Sequence, residues 1–327
     1  MPDDDETRIG SNLQSAMKES DRPKCPGCSG EDLRRIGLLH DVHVFAGRKT
    51  DAHLPKGSLY DCRKCHLKFR APILSAVEYD ALYDNDESAS WSETDEKNDW
   101  ALIVRYIAAN APMGASILDF GCYTGGLLGR LGSGYLKTGV EVNAKARKLA
   151  SERTGAQVFS RLDLVPRGER FDVVTAVDVV EHFSDPGRII ESLLKVIKDG
   201  GVLVVTTGDA HSLLWRIMGA RWWYCFFPEH LSFISERWMR HWLSTSDRGA
   251  QLISVMRFRH VRLSALRYVS QTILATIYYL APRTYLRVIS AIKRMMKRDA
   301  SVHPPGAGLT RDHICLVIRK TGSTASP

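Results

Sequence analysis

From residue 117 onward, short apolar runs alternate with stretches in which apolar positions recur at helical spacing. Residues 117–120, 139–142, 157–160, 171–177, 202–206, 251–256 and 313–319 read as seven strands. Between them, helices are expected at 127–131, 144–153 and 186–198, and at 235–243 with Ser235 as the cap. Strands that alternate with helices predict an α/β, doubly wound, mostly parallel sheet of seven strands. The 171–177 run is almost wholly apolar, which suits a strand buried on both faces. Upstream, Trp100, Ile103, Val104, Ile107 and Ala108 fall on one face of a helix that Asn110, Pro112 and Gly114 bring to an end.

Between the last two strands the pattern changes. Residues 257–311 form an insertion whose first part, 263–281, is mostly apolar but interrupted by Arg267, Ser270, Gln271 and Thr272. Its longest unbroken stretch is too short to cross a bilayer. Further on, Arg283, Arg287, Arg294 and Arg298 share one helical stripe, with Leu286, Ile289, Ile292 and Met296 opposite. Such a helix serves either as a solvated cap over a site or as a surface-seeking amphipathic helix.

Charge sharpens this picture. The chain has 327 residues and a net charge of +8, yet no Asp or Glu occurs from Gly249 to Arg298. Ten Lys or Arg lie between Arg257 and Arg298, so the remaining 35 basic and 37 acidic residues nearly balance and the basicity is local. An anionic membrane surface at 257–298 is one expected partner. Nucleic acid is less favoured, because the basic stretch is interleaved with apolar residues. The acidic start Pro2-Asp3-Asp4-Asp5-Glu6 differs from a basic export signal, so the expected location is cytoplasmic, with the inner face of the membrane as the alternative that the basic insertion offers.

The N-terminal part has its own organisation. Residues 1–22 read as a disordered leader, 23–72 as a zinc-ribbon-like module and 73–96 as an acidic, serine-rich linker. A main domain at 97–320 and a tail at 321–327 follow. Cys25-Pro26-Gly27-Cys28 and Cys62-Arg63-Lys64-Cys65 have the spacing that lets two thiolates of each pair reach one tetrahedral zinc. A redox motif is the competing reading, and His40, His43, His53 and His66 stand nearby as substitute ligands. Four cysteines close the coordination shell, so the expected role of the zinc is structural.

The 117–120 strand runs into a turn, Asp119-Phe120-Gly121-Cys122-Tyr123-Thr124-Gly125-Gly126. Glycines there let the backbone bend sharply and approach a ligand. An acid, Glu141, ends the next strand about twenty positions later, where a carboxylate meets ribose hydroxyls. A dinucleotide enzyme is the first reading of such geometry, but the acid ahead of the first glycine does not follow Gly-x-Gly-x-x-Gly. The pattern resembles the class I S-adenosylmethionine (SAM)-dependent methyltransferases, with Tyr123 where their turn has its middle glycine. Phe171-Asp172-Val173-Val174, Glu181-His182-Phe183-Ser184-Asp185-Pro186 and Pro228-Glu229-His230-Leu231 extend the resemblance over roughly 97–255.

The resemblance implies SAM as cofactor, with Asp119, Gly121, Cys122 and Gly125 along its methionine part. Glu141 falls at the ribose, Val142 against the adenine and Asp163 at the adenine amine. Asp178 faces the SAM amino group or the acceptor. His182 is the candidate base, with Asp178 and His230 beside it. A second reading lets Asp178, Glu181, His182 and His230 share a catalytic divalent ion, and a third makes them structural. The expected activity is O-methylation of a small-molecule, glycan or lipid-linked acceptor. RNA or tRNA methylation and a non-catalytic SAM-binding scaffold are the alternatives.

Overall fold

The computed structural model describes residues 23–40, 44–46, 48–50, 54–55, 57–84, 98–296 and 304–322. The 1–22 leader, residues 85–96 of the acidic linker, residues 323–327 of the tail, His43, His53 and Arg298 lie outside the described residues.

The N-terminal part contains β1 (Leu33–Leu38), β2 (Val44–Phe45), β3 (Arg48–Lys49), β4 (Ser58–Cys62), β5 (Lys68–Ala71) and the helix α1 (Ala76–Asp84), which falls where a linker was expected. Next come α2 (Asn98–Asn110), β6 (Ser116–Phe120), α3 (Gly126–Arg130), β7 (Leu136–Val140), α4 (Ala144–Thr154), β8 (Gln157–Phe159), β9 (Phe171–Val177), α5 (Pro186–Lys195) and β10 (Ile197–Gly208). The chain closes with α6 (Leu213–Met218), β11 (Ser232–Phe233), α7 (Glu236–Ser244), β12 (Ala250–Phe258), α8 (Ala265–Leu280), α9 (Pro282–Met295) and β13 (His313–Lys320).

The main sheet has the order β12-β13-β10-β9-β6-β7-β8. β13 alone runs against the rest, pairing antiparallel with both β10 and β12. This is the expected seven-stranded α/β sheet, with the last strand inserted between the two before it. Helix α5 stops short of residue 198 because Ile197 already pairs with Phe171.

Three cores hold the molecule together. On one face of the sheet, Ile103 and Ile107 of α2, Leu127 and Leu128 of α3 and Ala150 of α4 pack on Ile117, Val173 and Val204. On the other face, Ile190 and Leu193 of α5 and Trp238, Met239 and Trp242 of α7 pack on Leu118, Val174 and Leu203. Cys25, Cys62, Cys65, Leu67 and Phe69 of the N-terminal module join this same cluster. The third core gathers the aromatic run Trp222, Trp223 and Tyr224 with Leu39, Leu59, Trp215, Tyr278 and Tyr285. The module therefore packs into the main domain on two sides. Its sheet, in the order β1-β4-β5-β11, takes its last strand from the main domain, with Ser232 opposite Phe69 and Phe233 opposite Lys68.

Candidate active site

The glycine turn is tied to the end of β7. Gly121 and Cys122 both donate backbone N–H to Val140 O, at 2.8 and 3.1 Å. Gly121 sits at φ +75°, and a Cβ there would come 2.4 Å from Val179 Cγ2, so both backbone and space require glycine. Tyr123 also lies in the left-handed region, at φ +46°. That conformation costs a non-glycine residue roughly 1–2 kcal/mol. Glu141 offsets it, because Oε2 accepts the Tyr123 N–H at 2.9 Å while Oε1 accepts that of Asn143 at 2.8 Å. Each oxygen keeps acceptor capacity for one more donor. Burial pushes the Glu141 carboxyl above its ordinary value.

The other residues expected at the cofactor divide. Val142, 63% exposed, stands at the edge beside Glu141, just beyond β7. Asp163, in the turn after β8, is exposed and paired with Arg161 at 2.8 Å. Asp119 turns into the sheet instead, accepting a 2.6 Å bond from Thr175 Oγ1, and burial raises it to about 7. Cys122 sends its thiol into the core with Leu127 and Val173, leaving only its backbone at the turn. A buried acceptor carboxylate and a glycine turn closed to any Cβ fit the ribose and methionine parts of SAM.

A second cluster lies past β9. Asp178 sits at its tip at φ +51°, and its backbone N–H reaches Thr206 O at 3.0 Å. Glu181 is buried, with Oε1 taking the Tyr224 hydroxyl and Oε2 the Thr207 hydroxyl at 2.9 Å. Burial, and then the Asp178 charge, raise Glu181 to about 7. His182 is pushed down to about 4 by burial, so its imidazole is neutral across the physiological range. His230 is lowered for the same reason. Its Nδ1 lies 2.9 Å from the Tyr224 carbonyl, which only accepts, so Nδ1 carries the proton and Nε2 the lone pair. The His182 and His230 rings meet edge to face at 5.1 Å. One ligand atom each from Glu181, His182 and His230 fall within 4.8 Å of one another, the donor set of a divalent-ion site.

His313, not singled out by its sequence, opens β13 beneath this cluster with Nε2 3.9 Å from Asp178 Oδ1. Burial would lower it, but the hydrogen bond and charge of Asp312 outweigh that and hold it above its ordinary value. Nothing in a strand-initial Asp-His pair signalled this placement.

The four cysteines converge, with Sγ–Sγ contacts of 3.5 Å (Cys25–Cys65) and 3.6 Å (Cys28–Cys62). A zinc with bonds of about 2.3 Å sets an edge of about 3.8 Å, so the cluster is already near tetrahedral dimensions. Of the histidines offered as substitutes, the two described ones point elsewhere: His40 bonds Tyr278, and His66 packs on His241.

In the insertion, Tyr285, Leu286 and Ile289 of α9 pack inward on the third core, although the last two were expected on a free face. Ile292 and Met296 stay exposed, as expected, and α8 adds a longer outward apolar stripe. Leu266 (81% exposed), Val269, Ile273, Ile277 and Leu280 (75%) follow one another at helical spacing along it. Among the described residues, no helix is long and apolar enough to cross a membrane.

Residues 92–255, half of the chain, match the family model described as a methyltransferase domain. The ubiquinone biosynthesis O-methyltransferase of Cereibacter sphaeroides is 34% identical over 137 residues, covering 38% of this chain and 55% of that protein. The protein of the same name from Psychrobacter arcticus is 32% identical over 123 residues, covering 33% and 48%. The chain thus spans about half the length of the curated relatives it matches. A putative methyltransferase structure from Bacillus halodurans superposes with a TM-score of 0.46 at 16% identity, over 68% of this chain and 99% of that one.

Proposed function

The chain belongs to the class I SAM-dependent methyltransferases, and on that premise we propose that it methylates a hydroxyl oxygen of a small, amphiphilic acceptor. The observation that carries this reading is His182 placed just past β9, next to Glu181 and edge to face with His230. Glu141 binds the ribose hydroxyls, and the turn at Gly121 lets the methionine part approach the backbone. When bound, SAM supplies a methyl group on a positively charged sulfur. With SAM bound, the acceptor oxygen would take the methyl group as the S–CH3 bond breaks and S-adenosylhomocysteine (SAH) leaves, and His182 would accept the hydroxyl proton.

The low basicity of His182 narrows the acceptor. Burial disfavours the imidazolium and makes His182 a weak base, so a phenolic or enolic hydroxyl, more acidic than an aliphatic one, suits it better. The relatives named for ubiquinone biosynthesis support the same choice. A second reading, favoured by the Glu181, His182 and His230 donor set, has a divalent ion lower the hydroxyl's pKa instead. The insertion supports an anionic membrane surface as partner. The α8 aliphatic stripe lies beside exposed Arg259, Arg262, Arg267, Arg283, Arg287 and Arg294, in a stretch without acids.

The test is transfer of isotope-labelled methyl from SAM to a panel of phenols, lipid-linked phenols, sugars and tRNA, with and without chelator. Phenol methylation that needs no magnesium or manganese and falls with His182→Gln is expected. Loss on chelation that magnesium or manganese restores and zinc does not selects the metal reading. Methylation confined to tRNA overturns both.

A further inference from the structure

We propose that Arg70 is a positioning residue for the acceptor site, and that a metal held by Cys25, Cys28, Cys62 and Cys65 sets the geometry of the His230 loop through it. The proposal rests on the reading of His230 as part of that site.

Arg70 is buried near the end of β5, five positions past Cys65. Its guanidinium crosses out of the module into the main domain. Nη2 donates to Cys225 O and to Phe227 O, both at 2.9 Å, and Nε donates to His230 O at 3.2 Å. Its backbone N–H reaches Leu231 O at 2.8 Å. One side chain thus gathers three carbonyls of the segment 225–230, and the strand it stands on pairs with the residues that follow. Within the same segment, the Tyr224 carbonyl fixes the His230 tautomer and the Tyr224 hydroxyl reaches Glu181.

These contacts are a costly way to fill a core. A buried guanidinium is stripped of water, and an apolar residue of similar volume would avoid that penalty. Its five donors in a fixed fork do what no apolar residue can, which is to hold several carbonyls in one arrangement. The fork is in turn anchored by the metal knuckle. Cys62 donates its N–H to Leu67 O at 2.9 Å and His66 donates to Cys62 O at 2.8 Å, so the turn that carries two thiolates leads directly into β5. Three of the four cysteines, with Leu67 and Phe69, lie in the same core as Trp238 of α7. Without a metal, four crowded thiols lose the bond that fixes this turn, and β5 loses its alignment with β11. The glycine turn and Glu141 lie on the far side of β9 from β10, beyond this chain of contacts.

The experiment uses the full-length protein. Hydrogen exchange is followed by mass spectrometry in the wild type before and after zinc removal by a chelator, and in Arg70→Gln and Arg70→Lys. SAH affinity is measured by calorimetry, and the His230 tautomer is read from ring nitrogen–proton correlation spectra. Zinc removal and Arg70→Gln should each speed exchange of the 224–231 amides by at least about tenfold. Amides at Gly121 and Glu141, and the SAH affinity, should change by less than about twofold. In Arg70→Gln the His230 ring signals should show loss of the single Nδ1–H form, and Arg70→Lys should restore part of it. Unchanged exchange at 224–231 after chelation or in Arg70→Gln overturns the proposal. Equal acceleration at Gly121 and Glu141 also overturns it, since the module would then be a general stabiliser. A wild type that fails to bind SAH refutes the methyltransferase reading instead and leaves the exchange comparison intact.

Discussion

Replacing Glu141 by alanine separates cofactor recognition from turn support. The carboxylate accepts the N–H groups of Tyr123 and Asn143 at 2.9 and 2.8 Å. Alanine leaves both without that acceptor, at roughly 1–3 kcal/mol each, so local stability falls by about 2–6 kcal/mol. Tyr123, at φ +46°, then loses the bond that offsets its backbone strain, and the turn relaxes toward other conformations. Lost ribose contacts add about 1–3 kcal/mol to binding, which is about 5- to 150-fold in the SAH dissociation constant. Glu141→Gln keeps one amide acceptor but turns its NH2 toward the other N–H, so its loss should lie between wild type and alanine. Calorimetry with SAH, alongside thermal unfolding of each variant, measures the two effects apart. If Glu141→Ala binds SAH within about twofold of wild type while unfolding at a lower temperature, the residue only supports the turn, and ribose recognition by Glu141 is refuted.

Metal analysis of reduced protein prepared without chelator should give about one zinc per chain, and Cys62→Ser should lower it; a metal-free wild type would remove the site. Because the folded pKa of His182 lies at about 4, below the ordinary 6.5, the folded state refuses a proton that the unfolded chain accepts. Its stability contribution is present above 6.5 and is lost as pH falls toward 4. Between pH 8 and 5 the wild type should lose up to about 2 kcal/mol that His182→Gln does not, seen in urea unfolding midpoints; parallel profiles for the two proteins would contradict the burial argument. On the insertion, Ile273→Asp/Ile277→Asp should cut co-sedimentation with anionic vesicles and Arg287→Glu/Arg294→Glu should cut its preference over neutral ones. Equal sedimentation of all three proteins with both vesicle types would exclude membrane docking.

Period and punctuation made most of the sheet legible. Apolar runs gave the strand positions, and Gly121 and Gly125 marked a turn whose need for glycine the φ angles bear out. The cysteine spacing foretold a four-sulfur cluster. What escaped was whatever depends on partners distant in sequence. A two-residue strand such as β11 has no period, so its pairing with β5 left no trace. Arg70 drew no reading from the sequence, because nothing local says that three carbonyls await it. A helical apolar stripe does not state which side is covered: Leu286 and Ile289 turned inward, while the α8 stripe stayed outside. Cys122 and Asp119 showed the same limit on a smaller scale, since nothing local sets the direction of their side chains.

The pairing of Phe69 with Ser232 bears on the order in which the chain acquires structure. During synthesis, all four cysteines and β5 emerge before any strand of the main sheet, so the knuckle is complete for metal binding at that stage. The outer edge of β5 must then wait, without its ladder partner, until the ribosome has delivered residue 233. An exposed strand edge of that kind invites pairing with other chains. Lys68 and Arg70, whose charges end up buried in the finished molecule, stand on that edge and discourage such pairing in the nascent one. For the same reason, cutting the chain at 72/73 should not yield two folding units. The N-terminal piece would keep a bare edge, and the C-terminal piece would expose Phe233 and Trp238 to water.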